Sequence, residues 1–175
     1  FTWTQGEEDM RASGSPSNYG YGDYNPYTYK DRLKQLIEDF NTDIKEITGQ
    51  TEDVLCVSYQ LTSHTSYSRY PRIAMQLQEL AEEYDKMIIA KVMYDLEYVK
   101  EGTSEVHAYA RSYRNIGNLY GIAAFNACVL NKRKRWCYPI DYNIRGNKVI
   151  IRFDTPFAPL VLDTKLINQL PDGNY

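Results

Sequence analysis

The sequence is poor in the residue types that mark metal centres and disulfide-bonded domains. Its 175 residues include only two histidines, His64 and His107, and three widely spaced cysteines. An odd number of distant cysteines forms neither a disulfide framework nor a CxxC metal knuckle. Two isolated histidines without an HxH or HExxH spacing do not make a metal-ligand set. The sequence therefore predicts no metal and no cofactor.

Long apolar runs and an excess of basic residues are also absent. No run approaches the roughly 20 apolar residues that cross a bilayer, so no membrane span is predicted. The net charge of -3 lacks the basic surplus of proteins that bind nucleic acid. With 43% hydrophobic and 25% charged residues, the chain has the composition of a globular protein with one main domain.

Tyrosine is abundant, with 17 residues, and many of them cluster in the stretch SNYGYGDYNPYTY, residues 17–29. Tyrosine among Gly, Asn and Asp suits a surface that stacks on sugars or packs against a partner, because the ring is apolar and its hydroxyl still forms hydrogen bonds. Residues Met10 to Thr28 are predicted to form a long loop. Its candidate sugar contacts are Tyr19, Tyr21 and Tyr24.

Strand-like and helical patterns alternate through the middle of the chain. Apolar runs predict strands at residues 1–3, 54–59 and 87–93, with helical patterns between and after them. The first main helix is expected to end at Gly49 and the second to begin near Pro71. This order predicts an α/β fold with a parallel sheet. Residues 1–3 are expected to occupy an interior strand, flanked by the other two strands or by strands of a missing segment.

The helical patterns also predict which side chains face the core. Gly117 on the third helix is expected to allow close approach to the sheet. Cys56, in a strand, and Cys128, on the third helix, are expected to be buried structural thiols. The predicted core faces are Leu33, Leu36, Ile37, Phe40, Ile44 and Ile47 on the first helix, Ile73, Leu77, Leu80, Ala81 and Tyr84 on the second, and Tyr113, Ile116, Gly117, Tyr120, Ala124 and Ala127 on the third.

The chain changes character from Tyr138 onward. An Arg-Gly-Asn turn precedes the alternating run KVIIRF, and no helical period comes after it. We therefore predict two regions: an α/β domain over residues 1–137, and a β-rich segment over residues 138–175. The second region is interpreted as part of a β-sandwich or carbohydrate-binding unit.

The first residues, FTWTQGEED, place an amide and three carboxylates directly after a short apolar strand. In α/β sheets, polar groups that follow strands line the crevice beyond the carboxyl ends. Because such a strand is not expected to be the first element of a self-sufficient domain, we expect upstream residues to be missing.

Two blocks stand at the two ends of this alternation, TWTQGEED and VHAYARSYRNIGNLYG. They resemble two blocks of the SGNH hydrolase superfamily in its sialate O-acetylesterase-like form. One reads roughly Trp-x-Gln-Gly-Glu-x-Asp, and in the other the catalytic histidine precedes a Tyr-Arg-x-x-Gly helix, here Tyr113, Arg114 and Gly117. The resemblance covers Phe1 to about Tyr138. The remaining segment is similar to the region C-terminal to the hydrolase domain in bacteriophage tail-associated esterases of this group.

The resemblance implies a flavodoxin-like three-layer α/β/α fold, partial in this chain, and an esterase that removes O-acetyl groups from a surface polysaccharide. It gives His107 the role of the base that takes a serine proton and returns it to the leaving alcohol. Gln5 is the implied oxyanion donor. Glu7 and Asp9 are expected to hold the turn by bonding backbone amides. A virion tail or extracellular location and a homo-oligomer are also implied.

The sequence departs from the family pattern at two positions. No Gly-Asp-Ser nucleophile block occurs, since Gly22-Asp23 is followed by Tyr24. A missing N-terminal segment or another chain would have to supply the serine. Ser104 stands where the family commonly has the aspartate that orients the histidine, and Glu105 is the candidate substitute.

Two interpretations from different classes stay open. In the first, the chain is part of a carbohydrate O-deacetylase, which Gln5 and His107 favour. In the second, it is a virion or surface module that keeps the fold as a scaffold or glycan-binding unit without turnover, which Ser104 favours. His64, in a polar loop, is interpreted as a surface residue.

Overall fold

A computed structural model of the chain describes residues 1–14, 28–62, 71–99, 107–133, 137–155 and 161, with the backbone alone for residues 11–14. The chain divides between Lys132 and Arg133 into two units. We call the first unit the body. Within the described residues, the second unit contains two paired strands, which we call the hairpin.

The body is a mixed α/β structure built on a parallel sheet, as the alternation predicts. Its three described strands lie side by side in chain order, Thr2–Trp3, Cys56–Gln60 and Met87–Val92, and both pairs are parallel. Thr2 pairs with Val57, and Ser58 pairs with Ile89. The elements in chain order are β1 (Thr2–Trp3), α1 (Glu7–Gly14), α2 (Tyr29–Thr48), β2 (Cys56–Gln60), α3 (Arg72–Glu83), β3 (Met87–Val92) and α4 (Ala110–Cys128).

The position of β1 corrects one of the predicted arrangements. Among the described strands β1 pairs with β2 alone, so β2 rather than β1 lies between the other two. The first residue is nevertheless anchored. The ammonium group of Phe1 donates a hydrogen bond to the carbonyl of Leu55 at 2.7 Å. The ring centroids of Phe1 and Phe40 lie 4.7 Å apart.

Strands β2 and β3 are mostly apolar, and they are buried on both faces. Every residue of Cys56–Tyr59 and of Met87–Lys91 is buried. Continuous apolar runs are typical of parallel strands that are covered on both sides. The burial of Cys56 is therefore confirmed, and its pKa is raised to about 12, mainly by that burial.

Helix α2 ends where the sequence predicts, and its predicted core residues Leu33 and Ile37 are buried, but the rest of its buried face differs from the prediction. Gly49 follows it with φ of 73°, the left-handed conformation that ends many helices. Its buried stripe is Tyr29, Leu33, Ile37 and Asn41, whereas Leu36, Phe40 and Ile47, which we expected in the core, are exposed. Asn41 belongs in this stripe because its amide accepts from the Val54 N–H at 2.7 Å and donates to the Val54 carbonyl at 3.0 Å.

Residues Met10–Gly14 are helical, so the predicted loop from Met10 is wrong at its start. Helix α1 begins with three carboxylates in its first turn, where negative charge is favourable near the helix N-terminus. Met10 is fully buried, and its sulfur accepts a hydrogen bond from the Ile73 N–H at 3.1 Å. The helix is therefore joined to the start of α3.

Helix α3 follows Pro71 as predicted, and Ile73, Leu77 and Leu80 are buried.

Helix α4 buries only part of the face that its apolar pattern predicts: Ile116 and Tyr120 are buried as expected, whereas other predicted positions are not. Tyr113 is 46% exposed, and a Cβ placed on Gly117 would meet no atom within 4 Å, so that glycine makes no close approach to the sheet. Cys128, the last residue of the helix, is exposed, so its predicted burial is wrong. The buried residues of α4 are Ser112, Ile116, Tyr120 and Asn126.

The hairpin consists of β4 (Tyr138–Arg145) and β5 (Lys148–Asp154), which pair antiparallel. A two-residue turn joins them, with Gly146 at a positive φ of 60°, as the predicted Arg-Gly-Asn turn requires. The cross-strand partners Tyr142 and Ile151 share a face with Ile144 and Val149. All four side chains are exposed.

None of the helices in the described ranges combines the length and low polarity needed to cross a bilayer.

Candidate functional site

Polar residues follow all three strands of the body at one edge of the sheet. Because the strands are parallel, their carboxyl ends lie at the same edge, the usual place for ligand sites in α/β proteins. Gln5 and Glu7 follow β1, Thr62 follows β2, and a 3-10 turn, Met93–Asp95, follows β3. We take this carboxyl edge as the candidate site.

Gln5 lies in a hydrogen-bond network that fixes its side chain. Its Nε2 donates to the carboxylate of Asp9, and its Oε1 accepts from the hydroxyl of Tyr29 at 3.0 Å. The Tyr29 hydroxyl also lies 3.0 Å from the Gln5 carbonyl and accepts from Trp3 Nε1 at 3.0 Å. An amide nitrogen carries two hydrogens, and no second acceptor for Nε2 is found in the described part of the chain. Within the described residues, the second N–H of the Gln5 amide is therefore not used.

Gly6 turns the chain sharply from β1 into helix α1. Its φ of 143° is a conformation that side-chain-bearing residues rarely adopt. A Cβ at this position would lie 2.7 Å from Leu61 and 3.1 Å from Ile73, both in the core. Glycine is therefore required here, and the tight turn fixes where Gln5 and Glu7 lie.

Within the described part of the chain, Glu7 and Asp9 bond to side chains and not to the backbone amides that we expected. Glu7 accepts a hydrogen bond of 2.6 Å from the hydroxyl of Tyr59, and Asp9 accepts from Gln5. Burial raises the pKa of Tyr59, and the Glu7 carboxylate raises it further, because both disfavour a charged phenolate. The pKa values of Tyr29 and Tyr120 are also raised, mainly by burial. These tyrosines act as neutral hydrogen-bond donors, not as bases.

His107 lies at the same edge on an exposed segment that precedes α4. Its carbonyl accepts from the Val99 N–H at 2.8 Å, and the Tyr109 N–H donates to the carbonyl of Glu97 at 3.0 Å. Tyr98 and Ala108 form the antiparallel bridge between these bonds. We call residues 97–99 and 107–109 the histidine ladder. Because residues 97–99 follow the turn after β3, the ladder joins His107 to the carboxyl edge.

Gln5 and His107 share this edge, but no hydrogen bond joins them among the described residues. The imidazole is exposed, as proton transfer to a bound substrate requires. The remaining predicted site residues, Ser104, Glu105, Tyr19, Tyr21 and Tyr24, lie outside the described residues. So does His64.

Two exposed tyrosines beside His107 were not predicted as site residues. Tyr109 is 43% exposed and Tyr113 is 46% exposed. They are four residues apart at the start of α4, so they lie on one side of the helix. The Tyr113 hydroxyl accepts from the Ala108 N–H at 3.3 Å, which holds its ring next to the ladder. The apolar spacing assigned Tyr113 to the core, because periodicity does not distinguish an aromatic core residue from an exposed one.

A buried ion pair also lies at this edge and was not predicted. It joins Lys91, near the end of β3, to Asp95, at the end of the 3-10 turn. The Lys91 Nζ lies 2.6 Å from the Asp95 Oδ1, and the two side chains are only 9% and 16% exposed. The signal in the sequence is a lysine inside the apolar run MIIAKVMYD with an aspartate four residues later.

No group of three or more side chains in the described ranges is arranged to hold a metal ion. The site as described offers amide and hydroxyl donors, an exposed imidazole and exposed aromatic rings. Among known proteins, no family model, no curated protein and no solved structure matches this chain.

Proposed function

We propose that the chain is part of a carbohydrate O-acetylesterase of the SGNH type, with the partial flavodoxin-like α/β/α fold of that superfamily. The observation that carries the proposal is the shared edge: Gln5 follows β1, and the histidine ladder follows β3 of the same parallel sheet. The two residues are about a hundred positions apart in sequence. In this proposal the two residues are the groups that acyl transfer needs besides its nucleophile.

In this proposal each group has a defined role. His107 takes the proton of a serine hydroxyl during attack and returns it to the leaving sugar alcohol. The remaining N–H of Gln5 donates to the oxyanion that forms on the acetyl carbon, and the bond to Tyr29 keeps the amide from rotating. The serine comes from outside these 175 residues, because the sequence contains no Gly-Asp-Ser.

Tyr109 and Tyr113 support a carbohydrate substrate in this proposal. Exposed aromatic rings stack on the apolar faces of sugar rings while their hydroxyls form hydrogen bonds. Their position beside His107 would place a sugar next to the base. We further propose that the protein acts on a surface polysaccharide as a homo-oligomeric component of a phage tail or another extracellular assembly.

The test is acetate release from an O-acetylated polysaccharide by the protein together with the segment or chain that supplies the serine. His107→Ala should abolish release. Gln5→Ala should reduce kcat by about 100- to 1,000-fold, the loss seen when one oxyanion donor is removed. Asp39→Ala, an exposed change on α2, is the control and should leave release unchanged. Full activity of the His107 variant would exclude it as the base.

The second candidate is a glycan-binding module without turnover. It is favoured by Ser104, which cannot stabilise an imidazolium by charge as an aspartate does. It predicts binding of the polysaccharide, weakened by Tyr109→Ala and Tyr113→Ala, with no acetate released from any combination of chains.

A further inference from the structure

The Lys91–Asp95 pair has no part in the proposed chemistry, yet it is costly to bury. The lysine side chain is 9% exposed and its Nζ lies 2.6 Å from Oδ1 of Asp95. That oxygen accepts no hydrogen bond of normal geometry within the described part of the chain. The attraction is therefore mainly electrostatic. A buried pair of this kind often adds no stability over apolar residues of similar volume.

Such pairs are retained in some proteins because they fix one arrangement of the chain over others. Asp95 is well placed for this role. It ends the 3-10 turn, in which the Leu96 N–H donates to the Met93 carbonyl at 3.2 Å. The next residues, Glu97 and Val99, make the two backbone bonds of the histidine ladder. The Lys91 ammonium on β3 thus holds Asp95, and with it the start of residues 97–99, to which the backbone of His107 is bonded.

We propose that Lys91 and Asp95 are positioning residues that set the location of His107 at the carboxyl edge of the sheet. The catalytic consequence rests on the proposed function, whereas the structural consequence does not. Among the described residues, no hydrogen bond or ion pair joins Lys91 or Asp95 to the imidazole. The pair acts through the turn Met93–Asp95 and the ladder, and it ties both to the end of β3.

A second anchor holds the ladder from the other side. The Ser112 hydroxyl lies 3.3 Å from both the N–H and the carbonyl of Glu97. Ser112 fixes Glu97 to α4, and the ion pair fixes the preceding turn to β3. Loss of the ion pair should therefore loosen the ladder locally without melting α4.

The experiment compares Asp95→Asn, the double variant Lys91→Met with Asp95→Leu, and the control Lys86→Met. Lys86 directly precedes the other end of β3 and pairs with Glu38 at 2.9 Å, so its loss removes an ion pair far along the same strand. Amide exchange is measured at Val99 and Tyr109, the donors of the ladder, and at Cys56 and Val57 in the sheet. Imidazole resonances of His107 are assigned with a His64→Gln variant.

In both Asp95 variants the Val99 and Tyr109 amides should exchange at least about tenfold faster relative to the sheet amides, and the His107 resonances should move. Lys86→Met should change neither. The double variant keeps the experiment decisive if Asp95→Asn unfolds, because it leaves no unpaired buried charge. Unchanged ladder amides and an unchanged His107 in the double variant would overturn the proposal. Acceleration of ladder and sheet amides in equal measure would overturn it too, because it would mean only global destabilisation.

Acetate release provides a separate readout. Asp95→Asn should lower kcat and leave KM unchanged, since the pair positions the base and does not bind the polysaccharide. If the ladder loosens and His107 moves while no combination of chains releases acetate, the positioning role stands and the proposed function falls. If release is normal in Asp95→Asn while the ladder is loosened, the structural role of the pair stands, but the placement that it sets does not serve catalysis, and the catalytic consequence is overturned.

Discussion

The body buries the apolar side chains of its strands β2 and β3, whereas the hairpin exposes its own. In the body, the strands β2 and β3 bury nearly every residue, and the most buried side chains reach zero exposure. In the hairpin, one face collects Tyr142, Ile144, Val149, Ile151 and Phe153, and their exposed fractions run from 43% to 71%. The charged residues Asp141, Arg145, Lys148 and Arg152 lie on the opposite face.

The difference shows that an apolar pattern predicts which side of a strand or helix is apolar, but not which other element, if any, packs against that side. Continuous apolar runs in the body belong to strands that are packed on both sides. The alternating run of the hairpin correctly predicts one apolar face, yet that face is open to solvent in the described structure. Since a lone two-stranded hairpin is marginally stable in water, the two units should respond very differently to the same substitution.

The largest contrast is expected in thiol reactivity. Cys56 lies within β2 at zero exposure with a pKa of about 12, against an ordinary value of 9.0, whereas Cys128 and Cys137 are exposed. The thiolate is the reactive form, so at pH 8 the higher pKa alone should slow Cys56 about a thousandfold. Stopped-flow reaction with a disulfide reagent should show two fast thiols, and a third that reacts only on unfolding. Three equally fast thiols in the native protein would contradict the burial of β2.

The same substitution in the two units should have unequal effects on stability. Ile73 in α3 is fully buried, and Ile144 in the hairpin is 63% exposed. Ile73→Ala should lower the free energy of unfolding by about 2–5 kcal/mol, through lost burial and the cavity left behind. Ile144→Ala should change it by less than about 0.5 kcal/mol. Urea unfolding followed by circular dichroism measures both. Equal losses would mean that the hairpin face is covered in solution.

Much of the body could be predicted because its signals are local. Apolar runs located β2 and β3, Gly49 and Pro71 marked helix boundaries, and the Arg-Gly-Asn turn located the hairpin. The inward faces of α2 and α4 were predicted only in part. The apolar residues Leu33, Ile37, Ile116 and Tyr120 are buried as expected, but the buried polar residues were not predicted. Asn41 takes a buried position because Val54 supplies partners for its amide, and no count of apolar residues anticipates such a tertiary contact.

The candidate site shows the same division. Its edge followed from the strand order, and Gln5 and His107 followed from the two sequence blocks. The partners that fix these residues come from distant positions. Tyr29 reaches Gln5 across 24 residues, and Tyr59 reaches Glu7 across 52. Met10 was assigned to a loop because nothing local reveals that its sulfur meets the start of α3.

A smaller contrast is expected in the response to alkaline pH. The pKa of Tyr59 is raised in the folded state above its ordinary 10.0, chiefly by burial. Because the folded protein holds this proton more tightly, its contribution to stability is complete below pH 10 and is lost as the pH rises. Tyr59→Phe should cost about 1 kcal/mol at neutral pH through the lost bond to Glu7. It should also flatten the fall of stability above pH 10 by up to about 1.4 kcal/mol per pH unit.

The matched variant for this test is Tyr142→Phe in the hairpin, at a side chain that is 71% exposed. It should leave both the neutral stability and the alkaline slope as they are. Urea unfolding at a series of pH values between 7 and 11 gives both quantities. An unchanged alkaline slope in Tyr59→Phe would mean that this hydroxyl is not buried as the structure has it.

The smallest effect is expected at the charged face of the hairpin. Arg152 and Asp141 are cross-strand partners whose charged groups lie 3.6 Å apart, with side chains 70% and 59% exposed. At that exposure water and salt screen the pair, so Asp141→Asn should change the free energy of unfolding by less than about 0.5 kcal/mol.

Glu38 in the body is the comparison, since it accepts from both Tyr84 and Lys86, and these bonds lower its pKa. Glu38→Gln should cost about 1 kcal/mol at pH 7, and the loss should vanish as the pH falls through the lowered pKa, where the wild-type carboxylate is protonated too. Urea unfolding in low and high salt measures the free energy of unfolding of both variants. A larger and salt-sensitive loss for Asp141→Asn than for Glu38→Gln would show that the hairpin's charged face is less exposed than its structure indicates.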